Sequence, residues 1–253
     1  MSEPVGNLVS SGIGQLDELL HGGFPRGRCI LVTGGCGTGK SILGIQFLVE
    51  GVTKFGENGI LITTEESPSA VRADMKGFGW DLEKLEKDGK LGIIDIASPK
   101  SRVPYAGRDE VTRLLNMNTL LLAISQLQKT TNAKRAVLDS IPGLELVIEE
   151  PGAIRHAIHR LIATLKELGC TTLLISEGRG KGQISRYDVE EFISDGVIFL
   201  EQIRHGGKFE RGLTVVKMRG TLHESKTSPM VITEKGINVI PARGASLPSS
   251  LES

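Results

Sequence analysis

The stretch Arg28–Val49, RCILVTGGCGTGKSILGIQFLV, decides the fold of this 253-residue chain. An apolar run, Cys29–Val32, is followed by a glycine-rich turn and then by an amphipathic segment, which is the order strand, turn and helix. From Gly34 to Ser41 the turn matches the pattern G-x-x-x-x-G-K-[ST] without a departure. Because the match lies between a strand and a helix, it predicts a phosphate-binding loop rather than a chance glycine-rich turn.

The chemistry of phosphate binding explains the spacing in this loop. Glycines let successive backbone N–H groups turn inward and form a concave nest for anions, and the N-terminus of the following helix adds unpaired N–H groups. We expect Lys40 to contact the β- and γ-phosphates of ATP, or the β-phosphate of ADP, and the Ser41 hydroxyl to bind Mg²⁺. The residues expected to hold the nucleotide are Gly35, Cys36, Gly37, Thr38, Gly39, Lys40 and Ser41.

The composition is that of a soluble globular protein. Lys+Arg and Asp+Glu both total 30, so the net charge is zero and gives no general attraction to nucleic acid or to a membrane surface. No apolar run approaches the roughly 18 residues of a membrane-spanning helix, and the first residues have no signal-peptide pattern. We therefore expect a cytoplasmic protein without a membrane partner. Cys29, Cys36 and Cys170 lack C-x-x-C spacing, which argues against a zinc site or a disulfide framework.

Strand-like and helix-like patterns alternate along the chain, which indicates the α/β class. No internal repeat is present, so we expect one P-loop domain over residues 1–241 and a disordered polar tail over residues 242–253. The predicted helices after the phosphate-loop helix are Ala70–Phe78, Trp80–Lys87, Glu110–Lys129 and Gly152–Gly169. The predicted strands are Cys29–Val32, Ile60–Thr63, Leu91–Ile96, Arg135–Asp139, Thr171–Ile175, Gly196–Leu200, Leu213–Met218, Met230–Thr233 and Ile237–Ile240. A polar hairpin is predicted over Gln202–Arg211.

Two neighbouring carboxylates, Glu65 and Glu66, follow the predicted strand Ile60–Thr63. The carboxyl ends of parallel strands form the face where open α/β sheets bind ligands. Either side chain can therefore orient and deprotonate a water that attacks the γ-phosphate. The alternative is a solvated acidic pair that caps the next helix, because Ser67–Ser69 follows directly. Position alone leaves both interpretations open.

A second acidic residue of interest, Asp139, ends the apolar strand Arg135–Asp139. A strand-end aspartate well downstream of a phosphate loop is the Walker B arrangement, in which the carboxylate binds Mg²⁺ directly or through water. A strand-end aspartate alone is weak evidence for a Mg²⁺ site, and the phosphate loop upstream of it makes that evidence good. Ser140, beside it, is a candidate sensor of the γ-phosphate.

Two basic stretches raise the question of nucleic acid. One is the glycine-rich loop Gly178–Arg186, and the other is the polar side of the predicted helix Gly152–Gly169. The loop has no interleaved aromatic side chain that could stack on bases, and basic helix faces are more often solvated or subunit-contact surfaces. Nucleic acid is therefore a possible but not a favoured partner.

Several independent segments, in order, resemble the KaiC/RadA branch of the RecA-like ATPases, and most closely the single-domain KaiC-like proteins of archaeal or bacterial type. The resemblance covers about residues 8–241. The segments that carry it are SSGIGQLDELLHGGFPRG, GGCGTGKS, the pair Glu65–Glu66, FGWDLEKLEKDGKLGIIDIASP, AVLDS, VEEFISDGVIFL and VVKMRGTLH.

The resemblance implies more than the spacing predicts. It implies a RecA-like P-loop NTPase core, a mostly parallel twisted sheet flanked by helices with antiparallel C-terminal strands. It also implies a homo-oligomer, typically a hexameric ring with ATP at the subunit interfaces. Glu65 and Glu66 match the family's catalytic pair. Lys217 and Arg219 match residues that reach the neighbouring subunit's γ-phosphate, the arginine-finger role in trans; from the sequence alone they would be an exposed strand end.

By this resemblance the chain is expected to be a slow ATPase, a regulatory or signalling switch with a protein partner that the sequence does not name. The first alternative is a DNA-binding ATPase of the RecA/RadA type, which would use the loop Gly178–Arg186. The second is an autokinase. In the autophosphorylating clock domain adjacent Ser and Thr lie where this chain has Glu191 and Phe192, and the clock protein has two such domains, so autokinase activity is not predicted at these positions.

Overall fold

The computed structural model describes residues 7–96, 116–148, 152–178, 183–205 and 208–240. The strands within these ranges are β1 (Leu8–Val9), β2 (Phe24–Pro25), β3 (Cys29–Gly34), β4 (Gly59–Thr63), β5 (Leu91–Asp95), β6 (Arg135–Asp139), β7 (Thr171–Ser176), β8 (Gly196–His205), β9 (Lys208–Met218), β10 (Ser228–Thr233) and β11 (Gly236–Val239). The α-helices are α1 (Gly14–Leu19), α2 (Lys40–Phe55), α3 (Pro68–Met75), α4 (Leu82–Lys87), α5 (Met117–Thr131), α6 (Ile154–Glu167) and α7 (Glu190–Ile193).

Nine of these strands form one sheet in the order β11-β10-β9-β8-β3-β7-β6-β4-β5. The six strands from β8 to β5 in this order are mutually parallel. Strands β9, β10 and β11 each pair with their neighbours in the antiparallel direction. The predicted fold class, a mostly parallel sheet with antiparallel C-terminal strands, is confirmed. Strand β3 lies in the middle of the sheet, and all its residues are buried, which explains why its sequence is a continuous apolar run.

Helices cover both faces of the sheet and create two hydrophobic cores. Successive side chains of β3 alternate between the cores, as the period of a strand requires: Ile30 packs with α2 on one face, and Leu31 packs with α5 and α6 on the other. On the α2 face, Phe47 contacts Phe24 edge-on with ring centroids 5.8 Å apart. The described residues include no helix with the length and apolar character needed to span a bilayer.

Helix α5 begins later than the sequence predicted. The prediction was Glu110–Lys129, but the helix starts at Met117, where the side chains of Asn116 and Thr119 form a reciprocal capping box. The predicted residues 110–115, the predicted loop 97–107 and the predicted tail 242–253 lie outside the described residues. Leu122 is 58% exposed although it is apolar, because it lies on the opposite side of the helix from Ile124, which is buried.

The polar hairpin predicted over Gln202–Arg211 is formed by the extension of strands β8 and β9 beyond their predicted ends. They pair with each other as far as His205 and Lys208, although the parallel pairing of β8 with β3 ends at Leu200. The distal part of this pair is thus a two-stranded hairpin. The polar sequence predicted the hairpin, but without apolar alternation it did not show that the two strands continue through it.

A buried arginine ties α2 to the sheet. The Arg135 side chain, at the start of β6, is 1% exposed and forms an ion pair with Glu57 at 2.8 Å. Its guanidinium also donates to the carbonyl oxygen of Phe47 at 2.8 Å and lies 4.5 Å from the centre of the Phe47 ring. A Cβ on Gly51 would lie 2.4 Å from Arg135 Cδ, so α2 packs directly on this side chain. Arg135 therefore helps to hold the helix that follows the phosphate-binding loop.

Candidate functional site

The predicted phosphate-binding loop and the carboxyl ends of β4, β6 and β7 meet at one edge of the sheet. A cavity of about 390 Å³ lies between them. Its lining includes Cys36, Gly37, Gly39, Lys40, Ser41, Glu65, Glu66, Asp139, Ser140, Glu177 and Arg211. The structure thus brings the candidate nucleotide residues, the acidic pair and the strand-end aspartate to one place. The two remaining loop candidates, Gly35 and Thr38, contact each other. Thr38 is buried, and its hydroxyl donates to the carbonyl oxygen of Gly35 at 2.8 Å.

The loop requires glycine at two positions for different reasons. Gly34 has a φ of 152°, and a Cβ there would lie 2.0 Å from the carbonyl oxygen of Leu200 in β8, so no side chain fits between the loop and β8. Gly39 has a φ of 102° and precedes the first residue of α2 without supplying a side-chain cap. The first N–H groups of α2 are therefore left for another acceptor, and a phosphate oxygen is well suited to that position.

Lys40 lies inside this loop and is 8% exposed. Its ammonium group donates to the carbonyl oxygens of Gly34 at 2.9 Å and Gly35 at 2.8 Å. Burial lowers the pKa of Lys40, and the carboxylates of Glu177 and Asp139 oppose that effect. Because the partners of this cation are neutral carbonyls, its positive charge is available to a phosphate oxygen.

Asp139 and Ser41 form the candidate metal pair. Burial raises the pKa of Asp139 to about 6; a hydrogen bond from the Ser41 side chain lowers it, and the negative charges of Glu65 and Glu66 raise it. Mg²⁺ prefers hard oxygen ligands and in nucleotide sites takes only one or two from the protein. A carboxylate and a hydroxyl in contact beside the phosphate-binding loop fit such an ion.

The acidic pair is attached to the end of β6. The Ser140 hydroxyl donates to Glu65 Oε1, and the Ser140 N–H donates to Thr64 Oγ1 at 2.8 Å. The Asp139–Ser140 peptide bond is cis. The helix cap that was the alternative role for the acidic pair is supplied by Ser67, whose hydroxyl accepts from the Ala70 N–H. The acidic side chains are exposed to the cavity and are not needed to cap α3.

Lys217 and Arg219 do not lie at this cavity. Strand β9 is antiparallel to β8, and Met218 pairs with Gly196 at the beginning of β8, whereas the cavity lies at the carboxyl ends of the parallel strands. Lys217 Nζ donates to the carbonyl oxygens of Glu191 and Ser194, both at 2.7 Å. Neither side chain can contact a phosphate held by the loop of its own chain.

A comparison with known families decides the affiliation. A family model described as the KaiC ATPase matches residues 9–244 of this chain. The chain belongs to the KaiC family of P-loop ATPases.

Individual KaiC relatives agree with the family model. The chain is 38% identical over 226 residues to the circadian clock oscillator protein KaiC of Synechococcus elongatus, a match that covers 89% of this chain and 42% of the relative. It is 37% identical over 235 residues to the circadian clock protein KaiC3 of a Synechocystis strain, covering 92% and 45% of the two chains. The chain therefore spans less than half the length of these curated relatives.

Among solved structures, a KaiC-like protein from the hyperthermophilic archaeon Pyrococcus horikoshii OT3 resembles this chain along nearly its whole length. The two share 40% sequence identity with a TM-score of 0.82, and the match covers 93% of this chain and 99% of the other. The fold is accordingly the RecA-like fold of the KaiC family.

Three polar residues near the KaiC-type loop were not predicted from the sequence. Glu177 follows β7 and lines the cavity; it carries the same strand-end signal as Glu65 and could have been found by it. Gln202 Nε2 and Arg211 Nε both donate to the carbonyl oxygen of Gly37, at 3.0 and 3.2 Å. These two contacts depend on the β8–β9 hairpin reaching the loop, which no local pattern indicates.

Proposed function

We propose that this KaiC-family chain is a Mg²⁺-dependent ATPase that hydrolyses ATP at the subunit interfaces of a homo-oligomeric ring. The observation that carries the proposal is the convergence of Lys40, the Ser41–Asp139 pair and Glu65 on one cavity at the phosphate-binding loop. Phosphoryl transfer needs mainly positioning and charge stabilisation, and these groups supply both.

Binding rests on the loop. Its N–H groups and Lys40 would hold the β- and γ-phosphates of ATP, and ADP would be held by the same groups after hydrolysis. Ser41 and Asp139 would hold Mg²⁺, which neutralises charge on the phosphates when bound. Glu65 or Glu66 would orient the attacking water and accept its proton. The contact of Glu65 with Ser140 keeps that carboxylate beside the end of β6.

The remaining groups would come from a neighbour. Lys217 and Arg219 lie at the amino ends of the parallel strands, opposite the cavity at their carboxyl ends. A ring is built from a heterologous interface, in which one face of a subunit contacts a different face of the next subunit. In such a ring their positive charges would reach the γ-phosphate bound to the next subunit, the arginine-finger arrangement in trans. The family resemblance supports six subunits, and relatives described as clock proteins support a slow regulatory or signalling role in the cytoplasm with a further protein partner.

The test combines ATP turnover with oligomer mass, each measured with and without Mg-ATP. The wild type is compared with a Glu65→Gln/Glu66→Gln double variant, which keeps the size of both side chains and removes their charge. We expect ring assembly in both proteins and hydrolysis only in the wild type. A wild type that binds Mg-ATP but neither assembles nor hydrolyses it would contradict the proposal.

No contact among the described residues favours either alternative function, autokinase activity or DNA binding. Glu191 and Phe192 carry no hydroxyl group, so the autokinase positions of the clock domain cannot be phosphorylated in this chain. Part of the basic loop, residues 179–182, lies outside the described residues. DNA binding remains a hypothesis, and a salt-sensitive mobility shift with single-stranded DNA would support it.

A further inference from the structure

Glu190, the first residue of α7, is completely buried although it is a carboxylate. It accepts hydrogen bonds from the Ser176 hydroxyl at 3.1 Å and from the N–H groups of Arg186 at 3.2 Å, Tyr187 at 3.1 Å and Val189 at 3.3 Å. A buried carboxylate is tolerated only when donors surround it in this way. Glu190 is therefore the group on which the chain before α7 is organised.

The same segment is attached to the edge of the nucleotide cavity at two points. The Thr33 hydroxyl, next to the phosphate-binding loop, donates to the carbonyl oxygen of Ile184. Ser176, which donates to Glu190, is the last residue of β7 and precedes Glu177 in the cavity wall. Segment 183–189 and α7 thus rest on two strand ends that border the candidate site.

Carbonyl oxygens of α7 and its C-cap contact Lys217 closely and Arg219 at a longer distance. Lys217 Nζ is held by two carbonyl oxygens, those of Glu191 and Ser194. The Arg219 guanidinium donates to the carbonyl oxygen of Phe192 in α7 at 3.5 Å, and its backbone N–H donates to the carbonyl oxygen of Asp195, just beyond the helix, at 2.9 Å. Burial, followed by the nearby positive charge of Arg219, lowers the pKa of Lys217. The position of Lys217 therefore follows the position of α7.

Helix α7 has four residues, and a single helical turn is not stable without tertiary contacts. We propose that Glu190 is a positioning residue for the reaction in the neighbouring subunit. By anchoring α7 to the ends of β3 and β7, it holds the carbonyl groups that aim Lys217 and Arg219 at the next nucleotide site. This inference rests on the proposed ring ATPase. It also provides a connection between the nucleotide site of one subunit and the charges offered to the next.

The first variant is Glu190→Gln. The amide keeps the shape of the side chain, but its NH₂ group faces N–H donors, so part of the network is lost. We expect ATP affinity to be unchanged and turnover to fall between about tenfold and a hundredfold, the range for a misplaced catalytic group. Tyr187→Phe is the matched control, because it removes a hydroxyl contact of the same segment with Glu145 and leaves Glu190 untouched; its turnover should equal that of the wild type.

A mixing experiment separates positioning in trans from a local defect. Glu190→Gln subunits are mixed with the Glu65→Gln/Glu66→Gln variant, which cannot hydrolyse ATP but offers intact Lys217 and Arg219. In mixed rings the nucleotide site of a Glu190→Gln subunit can be completed by the correctly placed Lys217 and Arg219 of a double-variant neighbour. Turnover per Glu190→Gln subunit should therefore rise several-fold. No rise would mean that Glu190 acts only on its own cavity, and the inference would be wrong.

The same mixture made with Arg219→Ala distinguishes the two proposals. If Arg219→Ala is rescued and Glu190→Gln is not, the ring proposal stands and the role of Glu190 fails. If neither is rescued, the trans arrangement itself fails.

Should Glu190→Gln not fold, Ser176→Ala removes one donor to the same carboxylate and takes its place. We expect a several-fold loss of turnover that mixing restores; an unchanged or unrestored turnover would contradict the inference.

Discussion

The ammonium nitrogen of Lys40 lies 2.8 Å from the carbonyl oxygen of Gly35, inside the loop that precedes α2. The cation is thus positioned by the loop's own backbone, at the edge of the cavity and next to the unpaired N–H groups of the helix. Its charge is available to an entering phosphate without a large movement of the chain, since only the carbonyl contacts must be exchanged for phosphate oxygens.

Replacing this cation should abolish tight ATP binding. We expect Lys40→Ala to weaken the affinity by about a hundredfold, the value of a lost hydrogen bond to a charged group, as measured with a fluorescent ATP analogue. Lys54→Ala is the control, because Lys54 lies in the last turn of the same helix with its side chain 63% exposed. An unchanged affinity for Lys40→Ala would contradict the assignment of the loop.

Asp139→Asn should stabilise the nucleotide-free protein while removing Mg²⁺-dependent turnover. The pKa of Asp139 is raised from 3.8 to about 6, so the folded state favours the protonated acid. That stabilisation is present below pH 4 and is lost as the pH rises through about 6. Above pH 6 the variant should therefore unfold with a free energy higher by up to about 3 kcal/mol, and the difference should vanish below about pH 4.

The measurement for Asp139 is urea denaturation in EDTA at several pH values. Asp88→Asn changes an exposed aspartate of the same protein and should alter the free energy of unfolding by less than about 0.5 kcal/mol. A stability difference for Asp139→Asn that does not vary with pH would show that the carboxyl group is not responsible.

Glu57→Ala should destabilise the fold because it leaves a buried guanidinium without its counter-ion. The Arg135 side chain is 1% exposed and its partner 15% exposed, and breaking a buried pair costs about 3 kcal/mol or more. We expect part of this loss to be recovered in Glu57→Ala/Arg135→Met, in which neither charge of this pair remains. Glu83→Ala breaks an exposed pair with Lys87 and should leave the free energy of unfolding almost unchanged, because solvent screens exposed pairs. Equal losses for Glu57→Ala and Glu83→Ala would refute the argument.

Arg219→Ala should separate binding from turnover. Because Arg219 lies away from the cavity of its own chain, ATP affinity should stay within about twofold of the wild type while turnover falls at least about tenfold, as for a removed arginine finger. In mixed rings the variant should also reduce the turnover of its wild-type neighbours. Lys87→Ala, at a side chain that is 73% exposed on α4, serves as the control. Normal turnover in rings of Arg219→Ala would exclude the trans role.

The parts of the fold that were predicted correctly have local signals. The loop is specified by consecutive residues, and the parallel strands are continuous apolar runs because both of their faces are covered. The start of α5 was wrong because Asn116 and Thr119 form a cap that the apolar pattern does not show. The polar hairpin Gln202–Arg211 was predicted, but the extension of β8 and β9 through it was not, because the distal residues pair only with each other and carry no apolar alternation.

The sequence by itself determined the phosphate-binding loop, the strand-end acids and the α/β class, because each depends on residues that are neighbours in the chain. Only the tertiary structure decided that Lys217 and Arg219 face away from the cavity of their own chain, and that Glu190 and Arg135 are buried. Those properties depend on partners far apart in sequence; Arg135 and Glu57, for example, are separated by 78 residues. Burial of a charge is possible only where the fold supplies its partner, and a local pattern contains no information about that partner.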